Sequence, residues 1–337
     1  MLQVANKMEE LVGLDPQSLP DEVLTRTQPA VLRGLVAKWP VVHAGAESAA
    51  ATDAYLRRFY KDATVSAMLG APEIAGRFFY NEDITGFNFK LVRIKLDTVL
   101  DEVARQSSIA NPPSIYVGST TVETCLPGFR AENDLALGKR EALVSVWLGN
   151  RTRIAAHHDL PDNIACVVAG HRRFTLFPPS ELANLYIGPL DLTPAGQAIS
   201  LVDFAKPDYE RFPRFAAALK NAQVAELGPG DAIFIPSMWW HHVESLDTLN
   251  VLVNYWWRQS PAYMDSPMNA MMLALLTVRD LPEAQRKAWQ NLFRHYVFEA
   301  DERTSAHIPP GARRVLGTLD ADAAREVRAR LLQKLNR

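Results

Sequence analysis

Residues 157–179 read HHDLPDNIACVVAGHRRFTLFPP, and this stretch decides the fold. It begins with His157-His158-Asp159 and continues as two short apolar runs separated by a glycine. Side chains two apart on a β-strand share a face, whereas neighbours point to opposite faces, so His157 and Asp159 can aim at one point. An imidazole and a carboxylate on one face supply two of the ligands that a transition-metal ion needs.

A second histidine pair lies downstream, in residues 228–245, which read GPGDAIFIPSMWWHHVES. One histidine from this pair would complete a two-histidine, one-carboxylate site, the arrangement of non-haem Fe(II) oxygenases, which leaves coordination positions open. Spacing alone does not choose between His241 and His242. It also leaves open an alternative without metal, in which His157 and Asp159 are surface residues or a hydrogen-bonded pair.

Short strands dominate the region around these two stretches. Each is rich in β-branched or aromatic residues and is bounded by Gly, Pro or Asn, at 114–117, 142–148, 163–168, 172–177, 231–235 and 249–257. This pattern is typical of a β-sandwich or barrel. We therefore expect a mainly β domain at 29–258, a helical lead-in over 1–28 and a helical C-terminal region over 259–337. The last region contains helix patterns at 282–297 and 320–335.

Composition narrows the function class. The chain has 337 residues, with 36 basic and 38 acidic side chains and a net charge of −2, so the overall charge does not indicate nucleic-acid binding. Two cysteines exclude a disulfide framework and favour the reducing cytoplasm. The longest apolar stretch, 268–278, is shorter than the roughly 18 residues of a membrane span. We expect a cytoplasmic protein without a membrane partner.

The order of these motifs resembles that of the Jumonji-C oxygenases. The match runs through the histidine–acid start, Asn163 and GHRRFTLFPP at 170–179, then through 202–213 and 228–256. PAVLRG at 29–34 and WP at 39–40 are typical of the cupin-like members. The resemblance covers residues 29–258. It is greatest to the branch that contains the asparaginyl hydroxylase inhibiting hypoxia-inducible factor.

This resemblance implies a double-stranded β-helix, the jelly-roll barrel of the cupins. It assigns His157, Asp159 and His241 as the catalytic ligands of Fe(II), and it turns His158 and His242 outward. It implies 2-oxoglutarate and O2 as co-substrates of a dioxygenase that hydroxylates its substrate.

The resemblance also assigns the surroundings of 2-oxoglutarate. Arg172 replaces the usual lysine and is expected to hold the distal carboxylate with two parallel hydrogen bonds. Side chains two apart on a strand share a face, a rule we call strand parity. It puts Arg172 on the face of Phe174 and Leu176, inside the barrel. The remaining matched positions are Tyr116, whose hydroxyl reaches the same carboxylate, Asn163 and Asn254, which line the site, and Trp256, which packs beside it.

The sequence differs from this branch at two places, and these differences support alternative functions. Ile154 replaces a threonine that contacts the co-substrate, and together with Arg172 it makes a catalytically silent, metal-binding scaffold the main alternative. Residues 160–162 replace a glutamine-rich stretch that helps to hold a peptide substrate. The substrate is therefore a protein side chain or another biomolecule. A metabolite or an RNA is a further alternative, and only the +4 charge of residues 312–337 supports RNA.

The C-terminal region indicates self-association. Apolar residues of the helix pattern at 282–297 form one stripe: Trp289, Leu292, Phe293, Tyr296 and Val297. In the resembled branch, C-terminal helices form a two-fold dimer, so the expectation is a homodimer with this stripe at its interface. The alternative is that the stripe packs against the chain's own barrel or N-terminal helices.

Overall fold

The computed structural model describes Val4 and residues 6–336, and the chain divides into two compact units, Met1–Gln259 and Ser260–Arg337. The division falls one residue after the boundary expected from the sequence. The first unit contains the strands and both histidine pairs, whereas the second is helical.

Within the described residues the first unit contains fifteen strands and six α-helices. The strands are β1 Asn6–Lys7, β2 Glu9–Val12, β3 Ala30–Arg33, β4 Thr64–Gly70, β5 Arg77–Phe78, β6 Phe89–Lys95, β7 Ser114–Thr121, β8 Leu143–Gly149, β9 Arg153–His157, β10 Asp162–Ala169, β11 Arg172–Phe177, β12 Gln223–Leu227, β13 Ala232–Ile235, β14 Trp240–Ser245 and β15 Asn250–Trp257. The helices are α1 Asp21–Leu24, α2 Pro40–Glu47, α3 Ala49–Arg57, α4 Leu96–Gln106, α5 Val122–Cys125 and α6 Phe215–Asn221.

The strands form two mixed sheets. The larger sheet has the order β2-β3-β13-β10-β15-β8-β7-β4-β6, and the smaller has the order β1-β12-β11-β14-β9-β5. Side chains from both sheets meet in one apolar cluster, to which Phe174 and Leu176 come from the smaller sheet and Ala165, Ile233 and Leu252 from the larger. Two sheets that enclose a shared core are the jelly-roll arrangement of the cupins, so the expected fold class is confirmed.

Each sheet also carries a core on its outer face. Helices α2 to α5 cover the larger sheet, where Trp39, Leu100, Phe129 and Tyr255 are buried. Helix α6 packs on the outer face of the smaller sheet, where it forms an apolar cluster with Phe177 of β11 and with Phe204. The central strands of the larger sheet are therefore packed on both faces, which explains why β10, β13 and β15 read as apolar runs rather than as alternating ones.

The turn between β10 and β11 shows why the chain needs a glycine there. Gly170 has a φ of +70°, and a Cβ at this position would lie 2.5 Å from the carbonyl oxygen of Leu249. Only glycine adopts this backbone conformation without strain or a clash.

The expectation of a purely helical lead-in over 1–28 is wrong. Within the described residues, this segment contains β1 and β2 in addition to α1. Strand β1 pairs in parallel with β12, and β2 pairs in parallel with β3. These short polar segments are strands because distant partners supply their hydrogen bonds, a cause that the local pattern does not contain.

In its described residues, the second unit contains the two helices expected from the sequence and one more α-helix. They are α7 Pro267–Thr277, α8 Glu283–Phe293 and α9 Ala321–Leu335. A π-helical turn, Arg294–Phe298, continues α8, and the side chain of Asp320 caps the start of α9. Among the described residues, no helix combines the length and the apolar character that crossing a membrane requires.

Candidate metal centre and the barrel interior behind it

Three potential metal ligands converge at one end of the smaller sheet. His157 is the last residue of β9 and lies directly opposite His241 of β14, and Asp159 follows in the segment that leads to β10. One ligand atom from each residue lies within 4.8 Å of the others. His241 Nε2 is 3.5 Å from Asp159 Oδ2, and the two imidazole centroids are 4.3 Å apart. Of the two histidines that spacing left open, the structure brings His241 to this cluster.

The backbone orients both imidazoles. Nδ1 of His157 is 2.9 Å from the carbonyl oxygen of Ala155, and Nδ1 of His241 is 3.0 Å from that of Trp239. A carbonyl only accepts, so each Nδ1 carries the proton and each Nε2 keeps a free lone pair. Second hydrogen bonds of this kind fix the ring and tautomer of metal-binding histidines.

The protonation states also suit a cation. Burial, together with the charge of His241, lowers the pKa of His157 to about 4. Burial alone would raise the pKa of Asp159, but its electrostatic interaction with His241 and the neighbouring imidazoles lowers it overall. At neutral pH His157 is therefore neutral and Asp159 is ionised, which are the forms that coordinate metals. Two imidazoles and one carboxylate fit Fe(II) or a similar divalent ion.

The second member of each histidine pair lies outside the cluster. His242 pairs across the sheet with Thr175 and packs at a tilt against Phe204, 4.6 Å between ring centroids, in the core behind the smaller sheet. His158 is half-buried and packs edge-on against Trp240. Both turn away from the barrel interior, although His242 is buried rather than exposed.

Arg172 lies inside the barrel with no partner. It is opposite Ser245 on β14, in the row of β11 side chains that also contains Phe174 and Leu176. Arg172 is 3% exposed, and within the described part of the chain its Nε and Nη2 have no hydrogen-bond partner. Burial lowers its pKa to about 10, which leaves it charged at neutral pH. A buried cation without a partner costs several kcal/mol, so an anion in the same space would stabilise it.

Tyr116 of β7 faces the same interior space. Burial raises the pKa of its phenol, and the charge of Arg172 acts in the opposite direction, which shows that the two groups interact. The phenol is therefore un-ionised and available as a hydrogen-bond donor. Ile154 packs in the cluster around Tyr116. A purely aliphatic side chain therefore lies where the resembled branch has a threonine hydroxyl.

Two buried asparagines add polar groups to the inner face of the larger sheet. Asn163 of β10 and Asn254 of β15 are both buried, and the amide of Asn254 donates to Asn163 Oδ1 at 3.4 Å. Trp147 Nε1 donates to Asn254 Oδ1 at 2.7 Å, and its ring packs edge-on against Trp256, 5.6 Å between centroids. The structure thus brings Asn163, Asn254 and Trp256 together on the inner face of the larger sheet.

Two residues of this site were absent from the sequence-based set. Trp147 holds the amide of Asn254 by a hydrogen bond. Ser145 pairs with the inward-facing Asn254, and Trp147 lies two positions further along the same strand, so the alternation of side chains places Trp147 inward as well. Asp162 accepts from the backbone N–H of Ser237 at 2.9 Å and from Gln259 Nε2 at 2.7 Å. These hydrogen bonds connect the segment after Asp159 to the segment before His241. No local sequence pattern predicts this connection.

Comparison with known proteins agrees with this geometry. A family model described as "Cupin-like domain" matches residues 16–263. The "Lysine-specific demethylase JMJ31" of Arabidopsis thaliana is 36% identical over 129 residues, 36% of this chain and 23% of that protein. The human "HSPB1-associated protein 1" is 25% identical over 307 residues, 84% of this chain and 59% of that protein.

A third relative is named for a different substrate. The "tRNA wybutosine-synthesizing protein 5" of Gallus gallus is 34% identical over 106 residues, 32% of this chain and 30% of that protein. This chain spans less than two thirds of the length of each of these relatives. The three names refer to lysine, to HSPB1 and to tRNA, so they do not point to one common substrate or partner.

Proposed function

This chain belongs to the cupin-like Jumonji-C family, and from that membership we propose that it is an Fe(II)- and 2-oxoglutarate-dependent oxygenase that hydroxylates its substrate. The observation that carries the proposal is Arg172, a buried and unpartnered guanidinium in the barrel behind the His157, Asp159 and His241 cluster. A cation at that depth calls for an anion, and a dicarboxylate can place one carboxylate there while its other end reaches the metal centre.

Each part of the site has a separate task. The three ligands hold the metal ion, and their number leaves coordination positions open. Bound Fe(II) would supply the redox chemistry by which O2 and 2-oxoglutarate oxidise a C–H bond. Arg172 and Tyr116 bind and orient the distal carboxylate, whereas Asn163 and Asn254 line the path between it and the metal centre. The apolar cluster around Phe174 and Leu176 excludes water from this space.

The reaction provides a direct test. One 2-oxoglutarate, one O2 and one substrate C–H give succinate, CO2 and the C–OH product. We expect purified protein with Fe(II), ascorbate and O2 to convert 2-oxoglutarate to succinate, and the rate to rise when the substrate is present. Carbon-13 NMR of labelled 2-oxoglutarate measures the conversion. Absence of succinate with every substrate library tried would contradict the oxygenase function.

The main alternative is a silent scaffold that keeps the metal site without turnover. Ile154 favours it, because this side chain offers no hydroxyl to the co-substrate. Calorimetry with 2-oxoglutarate on the Mn(II)-loaded protein separates the two functions. We expect micromolar affinity, because charge-assisted hydrogen bonds contribute roughly 1.5–3 kcal/mol each. A scaffold would show no binding.

We propose a protein side chain or another biomolecule as the substrate. Support comes from the relatives, whose names include a lysine demethylase and a tRNA-modifying protein. RNA gains little from the C-terminal charge, because Arg325 pairs with Asp322 at 2.9 Å and Arg330 with Glu326 at 3.9 Å along α9. Capture on Mn(II)-loaded protein, followed by mass spectrometry for a mass gain of one oxygen, would identify the substrate.

We further propose that the second unit forms a homodimer. Its helix α8 and the π-helical turn after it expose Trp289, Leu292, Tyr296 and Val297, at 44–60% of their surface. An apolar stripe of this size is unusual on a monomer, and a second copy related by a two-fold axis covers it.

Light scattering tests the dimer. We expect a mass of twice 37.6 kDa at micromolar concentration, and a monomer for the double variant Leu292→Arg/Phe293→Arg, because charges in an apolar interface are costly. The matched control is Ala284→Arg/Asn291→Arg, which puts the same two charges on the exposed opposite side of α8 and should stay dimeric. A wild-type monomer, or a stripe variant that remains dimeric, would refute this interface.

A further inference from the structure

A cavity lies outside the barrel, beside the end of β15. Its volume is about 580 Å³, within the range of small-molecule sites. It belongs entirely to the first unit. The side chains of Trp257 and Tyr255 point into the outer core of the larger sheet, opposite to Trp256, so this cavity is separate from the barrel interior. Its lining residues are Asp21, Gly138, Lys139, Arg140, Trp257, Arg258 and Gln259.

The lining is strongly basic. Three cations, Lys139, Arg140 and Arg258, face a single carboxylate, Asp21. Arg140 Nη1 donates to Asp21 Oδ1 at 2.9 Å, which satisfies that carboxylate. Within the part of the chain that the structure describes, neither Lys139 nor Arg258 forms an ion pair. Two positive charges at one cavity therefore remain without a counter-charge, in a protein whose net charge is −2.

The wall of the cavity contains a buried tryptophan. Trp257 is 2% exposed, yet among the described residues its indole Nε1 has no hydrogen-bond partner. The uncompensated charges of Lys139 and Arg258 favour a negatively charged ligand at this cavity.

We propose that this cavity binds an oxyanion, a carboxylate or a phosphate, carried by a larger molecule. Lys139 and Arg258 supply the charge, and Trp257 forms part of the wall. The occupant would also contact Gln259, whose amide donates to Asp162 at 2.7 Å, the residue that ties together the segments carrying Asp159 and His241. This binding site is independent of turnover at the metal centre and does not rest on the proposed oxygenase activity.

NMR of the full chain labelled with ¹⁵N at the tryptophan indoles tests the proposal. The seven tryptophans give seven signals, and Trp257→Phe assigns the relevant one. We expect the Trp257 signal to shift saturably with inorganic phosphate or with acetate. The expected dissociation constant is on the order of 1 mM, the strength of a few charge-assisted hydrogen bonds at a solvated site. Tighter phosphate binding would identify a phosphate-bearing ligand, and equal or tighter acetate binding a carboxylate-bearing one.

Variants of exposed residues give the control. Lys139→Ala/Arg258→Ala should weaken anion binding by about tenfold or more, since it removes both unpaired charges. Lys90→Ala/Arg93→Ala removes two exposed charges from the edge strand β6 and should leave the titration unchanged. Calorimetry on the same four proteins gives a second readout that needs no assignment. The proposal is overturned if neither anion shifts the Trp257 signal, or if both double variants bind as the wild type does.

Discussion

Replacing His241 by alanine is expected to abolish metal binding and, with it, succinate production. The variant keeps only two of three protein ligands, and loss of even an outer-shell partner costs about 10–100-fold in metal affinity, so loss of a ligand should exceed that range. His157→Ala and Asp159→Ala should behave alike, because all three donors lie within one 4.8 Å cluster. Titration of the metal-free proteins with Mn(II), followed by electron paramagnetic resonance, measures the affinity.

His242→Ala is the matched control, one residue along the same strand. Its ring lies behind the sheet on Phe204, so this variant should retain the metal and lose some folding stability from the cavity it leaves. His158→Ala is a second control, with the same expectation for the metal. If His242→Ala loses Mn(II) while His241→Ala keeps it, the ligand is His242 and the assignment to His241 is wrong.

Strand parity made much of the site predictable. The run from Arg172 to Phe177 is a single six-residue strand without a bulge, so the two-residue period holds throughout. It places Arg172 inward with Phe174 and Leu176, and it places Arg173 outward, where the guanidinium pairs with Glu226 at 2.8 Å. Regular strands of this kind translate sequence order into geometry, because each side chain's face depends only on its position.

Parity fails where the strand ends or bulges. Asp159 lies beyond the last residue of β9, so its approach to His157 depends on the segment to β10 rather than on a shared strand face. Its carbonyl oxygen accepts from the backbone N–H of Met238 at 2.9 Å, a contact across 79 positions. The register between β9 and β14 also shifts between His241 and Val243. Long-range hydrogen bonds of this kind are set by the folded chain and not by local pattern.

The choice between His241 and His242 shows the same limit from another side. Both residues lie on one short strand, and both are buried, each at 5% exposure. Only the pairing of β14 with β9 and β11 determines which ring faces the barrel. Spacing therefore predicts that one of the pair can bind metal, whereas the identity of that residue comes from the resemblance and from the pairing.

Replacing Arg172 by methionine is expected to separate co-substrate binding from folding. Methionine fills similar space among Phe174 and Leu176 without a charge, so the unpaired buried cation disappears. We expect the free energy of unfolding of the ligand-free protein to rise by about 1 kcal/mol or more, since hydrophobic replacement of buried charges is often stabilising. The affinity for 2-oxoglutarate should fall by about tenfold or more, because charge-assisted hydrogen bonds are lost, while Mn(II) affinity stays unchanged.

Arg173→Met is the control that makes this result specific. Arg173 pairs on the outer face with Glu226 and, at 3.4 Å, with Glu244, so its loss should leave 2-oxoglutarate binding intact and should not stabilise the protein. Urea unfolding measures stability, and calorimetry on Mn(II)-loaded protein measures affinity. A residue needed only for structure would lower both quantities together. An opposite response, with stability up and affinity down, requires that Arg172 is held in the barrel for an anion. If Arg173→Met loses 2-oxoglutarate and Arg172→Met keeps it, the barrel interior is not the co-substrate site.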